Sequence, residues 1–275
     1  MKGNNNIFEV RNVIRTEPVG CCIYCGTTHE LTDEHVIPLA LAGNIILTNS
    51  SCHKCASITS DFERKVLRGF MLNARVAGKY PTRKPKKRPK TLPLQIGNNG
   101  EFKYVELSPE EHPALLFMPL FETPSIFTGK SLKKGVTIYG FETLYFGKNP
   151  EDVAKDLGIK TIQTTENLDI ISFVRLLAKI GYSYSVATLG LLPRERVLVL
   201  PLILGTADDA SSWLGSSNFK LAIEEKGPIH ALAYEWTPHP NDDTKELLVV
   251  RVKLFAQSGT TGYEIIICWR NRQAM

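Results

Sequence analysis

Four cysteines near the start of the chain have the spacing of a metal site. Cys22 and Cys25 form one CxxC pair, and Cys52 and Cys55 form a second pair after 26 intervening residues. Each pair presents two thiolates on a tight turn, so the two pairs supply the four ligands of a tetrahedral zinc ion. We therefore predict one structural Zn²⁺ held by these four cysteines. The other interpretation is two unrelated pairs of buried thiols.

Two acids and a histidine lie between the cysteine pairs. Asp33, Glu34 and His35 stand in the sequence DEHVIP, where a predicted strand over residues 30–38 runs into a loop. A second apolar run at residues 45–47 follows a Gly-Asn turn signal and can pair back as the next strand. The sequence predicts a hairpin with the acid-acid-histidine cluster at its end, followed by a helix after the second cysteine pair.

The zinc knuckles, the acid-histidine pair and the following helix together resemble the HNH endonucleases over roughly residues 20–78. The resemblance implies a ββα-metal module that hydrolyses phosphodiester bonds with a catalytic Mg²⁺ or Mn²⁺ ion. It also implies that His35 is the general base, that Glu34 is a ligand of the catalytic ion, and that Asn49 braces the loop. Asp33 should point the other way on a strand, so it either supports the site or replaces the ligand if the strand is bulged.

The helix departs from the family pattern at one position. Zinc-bearing HNH sequences commonly carry Asn or His directly after the last cysteine, where this chain has Ala56. Asp61 follows within the first turns and offers a hard oxygen donor, so it is predicted to complete the catalytic metal site. His53, inside the second CxxC pair, is expected to be exposed rather than catalytic.

Positive charge is concentrated in the N-terminal part of the chain. Residues 1–100 hold 15 Lys and Arg against 7 Asp and Glu, a net charge of +8, whereas residues 101–275 carry a net charge of −3. A cationic region of this kind is the one expected to face a polyanion such as DNA. We therefore predict that the N-terminal part binds nucleic acid, with DNA as the expected partner.

Two groups of cations are predicted to contact phosphate. One is a stripe on the helix after the second cysteine pair, and the other is the arm PTRKPKKRPK, which its prolines should hold extended. The residues are Arg64, Arg68 and Arg75 on the helix and Arg83, Lys84, Lys86, Lys87 and Arg88 in the arm. The other interpretations are a solvated helix face and a plain interdomain linker.

A change of composition predicts a domain join near residue 95. Residues 1–95 would form the HNH module, and residues 96–275 an α+β domain with an antiparallel sheet. The helix is predicted over residues 167–188, and it should be mostly buried. Lys179 within it needs a partner of opposite charge or must reach the surface, and we expect it to reach the surface from the helix edge. The predicted strands are EFKYVEL, ALLFMPLF, VTIYGF, RVLVLPLIL, HALAYEW, ELLVVRVKLFA and YEIIICW.

Composition is that of a soluble globular protein. The chain has 275 residues, of which 43% are hydrophobic, enough for a sizeable core. No stretch has the pattern of a signal peptide, and no apolar run approaches the roughly 18 residues that span a bilayer. Cys21 and Cys268 fall outside the CxxC pairs, and the six cysteines do not form a disulfide framework. We expect a cytoplasmic protein with no membrane partner.

Two functions of different class fit the sequence. The first is a metal-dependent HNH endonuclease, a hydrolase that acts on DNA. The second is a zinc-dependent module that binds nucleic acid without cleaving it, which Ala56 favours because alanine offers no metal ligand. Cleavage, as opposed to binding alone, separates the two.

Overall fold

A ββα unit forms around the cysteine pairs in the computed structural model, which describes residues 12–98, 101–130, 134–163, 168–217 and 229–272. Its elements are β1 (Ile14–Arg15), β2 (Leu31–His35), β3 (Ile45–Cys52), α1 (His53–Arg68) and α2 (Leu72–Ala77). Strands β2 and β3 pair antiparallel, and β1 joins β3 in parallel. Helix α1 begins where β3 ends, at the second cysteine pair.

Both ends of the β2–β3 hairpin have unusual backbone. At the turn, a Cβ on Gly43 would lie 1.9 Å from the carbonyl oxygen of Ile37, so only glycine fits there. At the other end, residues 48–50 of β3 stand opposite Asp33 alone, and Asn49 has a φ of 47°. The hairpin is therefore bulged beside Asp33, the condition under which this residue was considered as a ligand.

The remaining elements form a mixed fold with antiparallel sheets. The elements are β4 (Leu92–Asn98), β5 (Glu101–Leu107), β6 (Leu115–Phe121), α3 (Ser125–Thr128), β7 (Ile138–Tyr145), α4 (Pro150–Asp156), β8 (Thr161–Gln163), α5 (Ile170–Leu189), α6 (Leu200–Leu204), α7 (Ala210–Trp213), β9 (Leu214–Ser217), β10 (Ala231–His239), β11 (Asp242–Lys253) and β12 (Gly262–Asn271). A four-stranded sheet has the order β10-β11-β12-β9, a three-stranded sheet has the order β5-β4-β8, and β6 pairs with β7. The architecture is α+β, as predicted.

Helix α5 is the long buried helix that the sequence predicted. The Asp169 side chain accepts a hydrogen bond from the Ser172 amide at its start, and Gly190 ends it. By length and composition α5 is the one helix among the described residues that could cross a membrane, but 72% of its most apolar window is buried in this fold. It packs against α1 on one side and against β11 and β12 on another. Burial on several sides explains its apolar circumference.

The ββα unit and the second half share one hydrophobic core. Phe62 of α1 and Phe173 of α5 are both fully buried in the same cluster. Residue 95, the predicted domain join, lies within β4. The division into residues 1–95 and 96–275 stays a prediction about folding units, because the main core contains residues from both.

Two sequence predictions of local structure were wrong. The apolar segment at residues 196–204 is not a strand: Val197 makes a single bridge to Cys268, and α6 begins at Leu200. Proline is well tolerated in the first turn of a helix, which is where Pro201 stands. The basic helix is also shorter than expected, because α1 ends at Arg68 and a new helix, α2, follows the turn.

Candidate zinc and catalytic site

The four predicted cysteines converge in space. The Sγ atoms of Cys22, Cys25, Cys52 and Cys55 all lie within 4.8 Å of one another, and the Cys25 and Cys52 sulfurs are 3.6 Å apart. A zinc ion with Zn–S bonds of about 2.3 Å places its sulfurs about 3.8 Å apart. The cluster can therefore form a tetrahedral zinc site.

The pKa values of the cysteines differ within the cluster. Burial raises the pKa of Cys25 and of Cys55, which disfavours their thiolates. Burial acts in the same direction on Cys52, but hydrogen bonds from the Cys55 amide and from neighbouring thiols outweigh it and lower the pKa to about 7. Four thiolates this close need a divalent cation to balance their charge, and zinc binding would release the remaining protons.

The second half of the chain holds the first zinc knuckle in place. Arg194 donates from Nη1 to the carbonyl oxygen of Cys25 (2.9 Å) and from Nη2 to that of Tyr24 (3.0 Å). On α5, the Tyr182 hydroxyl donates to the Ile23 carbonyl oxygen at 2.7 Å. These hydrogen bonds tie the knuckle backbone to residues more than 150 positions away.

Glu34, the predicted ligand of the catalytic ion, points into the protein. Its side chain is 8% exposed, and its Oε1 lies 2.7 Å from Nζ of Lys179 on α5. The same Nζ lies 3.0 Å from Oε1 of Glu63 on α1. It also donates to the backbone carbonyl oxygens of His35 and Val36. Glu34 is therefore engaged by an ammonium group rather than directed towards solvent.

Lys179 does not reach the surface, so the prediction of a snorkelling side chain was wrong. The residue is fully buried. Burial lowers its pKa, but the charges of Glu34 and Glu63 outweigh burial and raise it, so the ammonium stays protonated. Burial raises the pKa of Glu63. A buried lysine needs partners of opposite charge, and these two acids supply them.

His35 lies at the end of β2 with a half-buried ring. Its pKa is lowered, first by burial and then by the positive charges of Lys179 and Arg83. Within the described residues, neither ring nitrogen makes a hydrogen bond. A neutral imidazole with free nitrogens has the protonation state that a general base requires.

Asp33 and Asn49 meet on the opposite, exposed side of the hairpin. The Asn49 backbone amide donates to Asp33 Oδ1 at 3.2 Å, and Arg15 donates from Nη1 to Oδ2 at 2.6 Å. These hydrogen bonds lower the pKa of Asp33, that of Arg15 most. Asn49 thus contacts Asp33 of β2 through its backbone amide, while the role of its side chain in bracing the loop stays a prediction.

Asp61 lies on the exposed surface of α1, away from Glu34. Its carboxylate pairs with Arg64 and with Lys65, the latter at 3.0 Å. Glu63 is two positions further along, about 200° around the helix, and faces the buried side. Asp61 therefore pairs with exposed cations while Glu34 pairs with the buried Lys179, and the structure does not bring these two predicted ligands together.

The residue that faces Glu34 from the helix is Glu63, which the sequence reasoning missed. It stands seven residues, or two helical turns, after Ala56, so the two positions share a face of α1. The signal was available in two parts: this periodicity, and the buried Lys179, which called for acidic partners. His53, at the start of α1, is exposed as expected.

Most of the predicted phosphate-binding cations line one cleft. The cleft has a volume of about 690 Å³ and lies between α1, α2 and the basic arm. Seven of its lining residues are cationic and none is acidic, whereas Lys86 is not among them. The seven are Arg64, Arg68, Arg75, Arg83, Lys84, Lys87 and Arg88.

The arm and Arg75 differ from the sequence interpretation in detail. The arm is not fully extended, because residues 85–87 form a 3₁₀ turn. Arg75 belongs to α2, where it donates to the carbonyl oxygens of Ala40 (2.7 Å) and Leu67 (2.6 Å), and burial lowers its pKa to about 10. It therefore supports the wall of the cleft as well as lining it.

His230 and His112, in the second half of the chain, have structural contacts. His230 accepts a hydrogen bond at Nδ1 from the Phe255 amide (3.1 Å), so its Nε2 carries the proton and donates to the Leu41 carbonyl oxygen at 2.6 Å. Burial lowers its pKa to about 4. His112 likewise bonds two backbone groups.

Comparison with known proteins supports the assignment of the first module. A model of the HNH endonuclease family matches residues 22–70, which include both cysteine pairs, His35 and all of α1. No curated protein and no solved structure matches the chain. The match supports a nuclease-type or metal-binding role for this segment. The N-terminal module, with its four-cysteine cluster, thus matches the HNH endonuclease family over residues 22–70.

Proposed function

We propose that this protein is an endonuclease that binds DNA in the cationic cleft and hydrolyses a phosphodiester bond with His35 as general base. The observation that carries the proposal is the set of seven cations, with no acid, around one cleft of an HNH-family module. Lys and Arg in such a set bind the nucleic-acid backbone by displacing its counterions.

His35 and the cleft are connected by structure and by charge. Leu39 and Ala40, four and five residues after His35, line the cleft, and Arg83 both lines it and lowers the pKa of the His35 ring. A phosphate held by Arg83 would therefore stand within the electrostatic reach of the imidazole. This arrangement supports a role for His35 beside a bound backbone.

The chemistry proposed for His35 is proton transfer. The neutral ring takes a proton from a water molecule, and the resulting hydroxide forms a bond to phosphorus while the bond from phosphorus to the 3′ oxygen breaks and its electron pair goes to that oxygen. The leaving 3′ oxygen takes a proton from solvent water, and the imidazolium returns its proton to solvent. Cations of the cleft balance the charge that builds on the phosphate oxygens. Because Glu34 and Asp61 do not converge, no step is assigned to Mg²⁺ or Mn²⁺. The zinc cluster is structural in this scheme.

The second candidate is a zinc-dependent module that binds nucleic acid and does not cleave it. Two observations favour it: Ala56 offers no ligand, and the Glu34 carboxylate is paired with Lys179. The cleft would then serve binding alone. A cytoplasmic location suits both candidates, because a reducing compartment keeps the four thiols available for zinc.

The two candidates differ in one assay. Zinc-loaded protein is incubated with supercoiled plasmid, with and without Mg²⁺ or Mn²⁺, and nicking is followed together with gel retardation. The endonuclease proposal expects nicked plasmid from the wild-type protein, while retardation without nicking under every condition supports the binding module. Lys87→Gln, which removes a cation of the cleft, should weaken retardation, and Lys86→Gln is its matched control, since Lys86 belongs to the arm but does not line the cleft.

A further inference from the structure

One lysine stands between the strand and the helix of the HNH module. Nζ of Lys179 contacts Glu34 at the end of β2 and Glu63 on α1, at 2.7 Å and 3.0 Å. It also bonds the carbonyl oxygen of His35 and, at 3.4 Å, that of Val36. All four atoms around the ammonium are oxygens, two from carboxylates and two from the backbone.

This set of oxygens would suit a hard divalent cation. Carboxylate and backbone carbonyl oxygens are the protein ligands that Mg²⁺, Mn²⁺ and Ca²⁺ take. Glu63 Oε1 is buried and has no hydrogen bond of good geometry, although it lies near Nζ. The ammonium balances one of the two negative charges and leaves Glu63 incompletely bonded.

We propose that Lys179 is the built-in cation of this site: its ammonium replaces a divalent ion between Glu34 and Glu63 and positions the end of β2 that carries His35. A divalent ion cannot enter while Nζ contacts all four oxygens. Lys179 is thus a positioning residue that acts on His35 through its backbone carbonyl. These contacts do not depend on whether the protein cleaves nucleic acid.

Removal of the ammonium should convert the cluster into a divalent-ion site. Lys179→Ala removes the charge and leaves room, so two buried carboxylates would face each other without a counter-ion. Such a pair is strongly destabilising until a cation enters. Lys179→Met removes the charge but fills the space with a side chain of similar length, so it should not bind the ion.

The test measures Mn²⁺ binding by electron paramagnetic resonance and by thermal unfolding, on zinc-loaded full-length protein. We expect Lys179→Ala to bind one additional Mn²⁺ at least about tenfold more tightly than the wild type, and its melting temperature to rise with Mn²⁺ by mass action. Lys179→Met and the exposed control Lys155→Ala should gain neither. Equal Mn²⁺ binding by Lys179→Ala and the wild type would overturn the proposal.

A second measurement covers the case in which Lys179→Ala does not fold. Wild-type Mn²⁺ binding is compared with that of Glu34→Gln, which folds more readily because Glu63 still balances the lysine. The proposal expects the two titrations to coincide, since the wild-type site already holds its cation. Loss of a wild-type Mn²⁺ site in Glu34→Gln would show that a divalent ion binds there despite Lys179. Neither Mn²⁺ measurement depends on nuclease activity. A failure of this proposal can therefore be distinguished from a failure of the proposed function.

Discussion

Nζ of Lys179, in the middle of α5, lies 2.7 Å from Oε1 of Glu34, at the end of β2. The two residues are 145 positions apart, and the pair is buried. The contact joins the second half of the chain to the strand that carries His35. The second half therefore contributes directly to the interior of the HNH module, beyond covering its outer face.

The charge of Lys179 should stabilise the fold strongly. Lys179→Met leaves Glu34 and Glu63 as unbalanced buried acids, and we expect it to lower the free energy of unfolding by about 3–5 kcal/mol in urea titrations. Adding Glu34→Gln and Glu63→Gln to that variant should recover much of the loss. If Lys179→Met were as stable as the exposed control Lys155→Met, the charge of Lys179 would not stabilise the fold.

Zinc should stabilise the whole chain. Cys52→Ser removes one ligand, and because the zinc module shares its core with α5, the variant should melt at a clearly lower temperature in one transition. Cys21→Ser is the control, since Cys21 lies outside the four-sulfur cluster. Retention of one zinc per chain with unchanged melting in Cys52→Ser would exclude the four-cysteine site.

The cleft should determine how DNA binding depends on salt. Replacing Lys84, Lys87 and Arg88 with glutamine should weaken binding and reduce the slope of log K against log salt concentration by up to about 0.9 per lost phosphate contact. Lys86→Gln, in the same arm but outside the cleft, should change the slope much less. Equal effects of Lys86 and its neighbours would indicate diffuse attraction instead of binding in the cleft.

Acid should destabilise the protein through His230. Its folded pKa of about 4 lies below the value of about 6.5 of an unfolded histidine. The contribution of His230 to the free energy of unfolding is therefore fully present above pH 6.5. It falls by at most about 3 kcal/mol between pH 6.5 and 4, because the unfolded chain takes up the proton first. In urea titrations across this range, His230→Gln should flatten the decline, while the exposed control His29→Gln should retain it. An unchanged decline in His230→Gln would exclude this residue as the cause.

The local features of the site were predictable from sequence, and the long-range ones were not. The cysteine pairs, the hairpin and α5 each carry their signal within a short window, as spacing or periodicity. Lys179 could be recognised as a charge in need of partners, but the choice of Glu34 and Glu63 depends on how α5 packs against α1. Arg75 was placed on the wrong helix because its spacing continued the α1 pattern past the turn at Gly69.

Plasmid nicking by the wild-type protein and by His35→Ala tests whether His35 is the general base of an endonuclease. Both zinc-loaded proteins are used at concentrations that give equal retardation of the DNA, under the same ionic conditions. If His35 is the general base, the variant should fold, keep its zinc and bind DNA, yet nick the plasmid at least about a hundredfold more slowly than the wild type. Equal nicking rates would contradict the role of His35, and the absence of nicking by the wild type under every ionic condition would contradict the endonuclease itself.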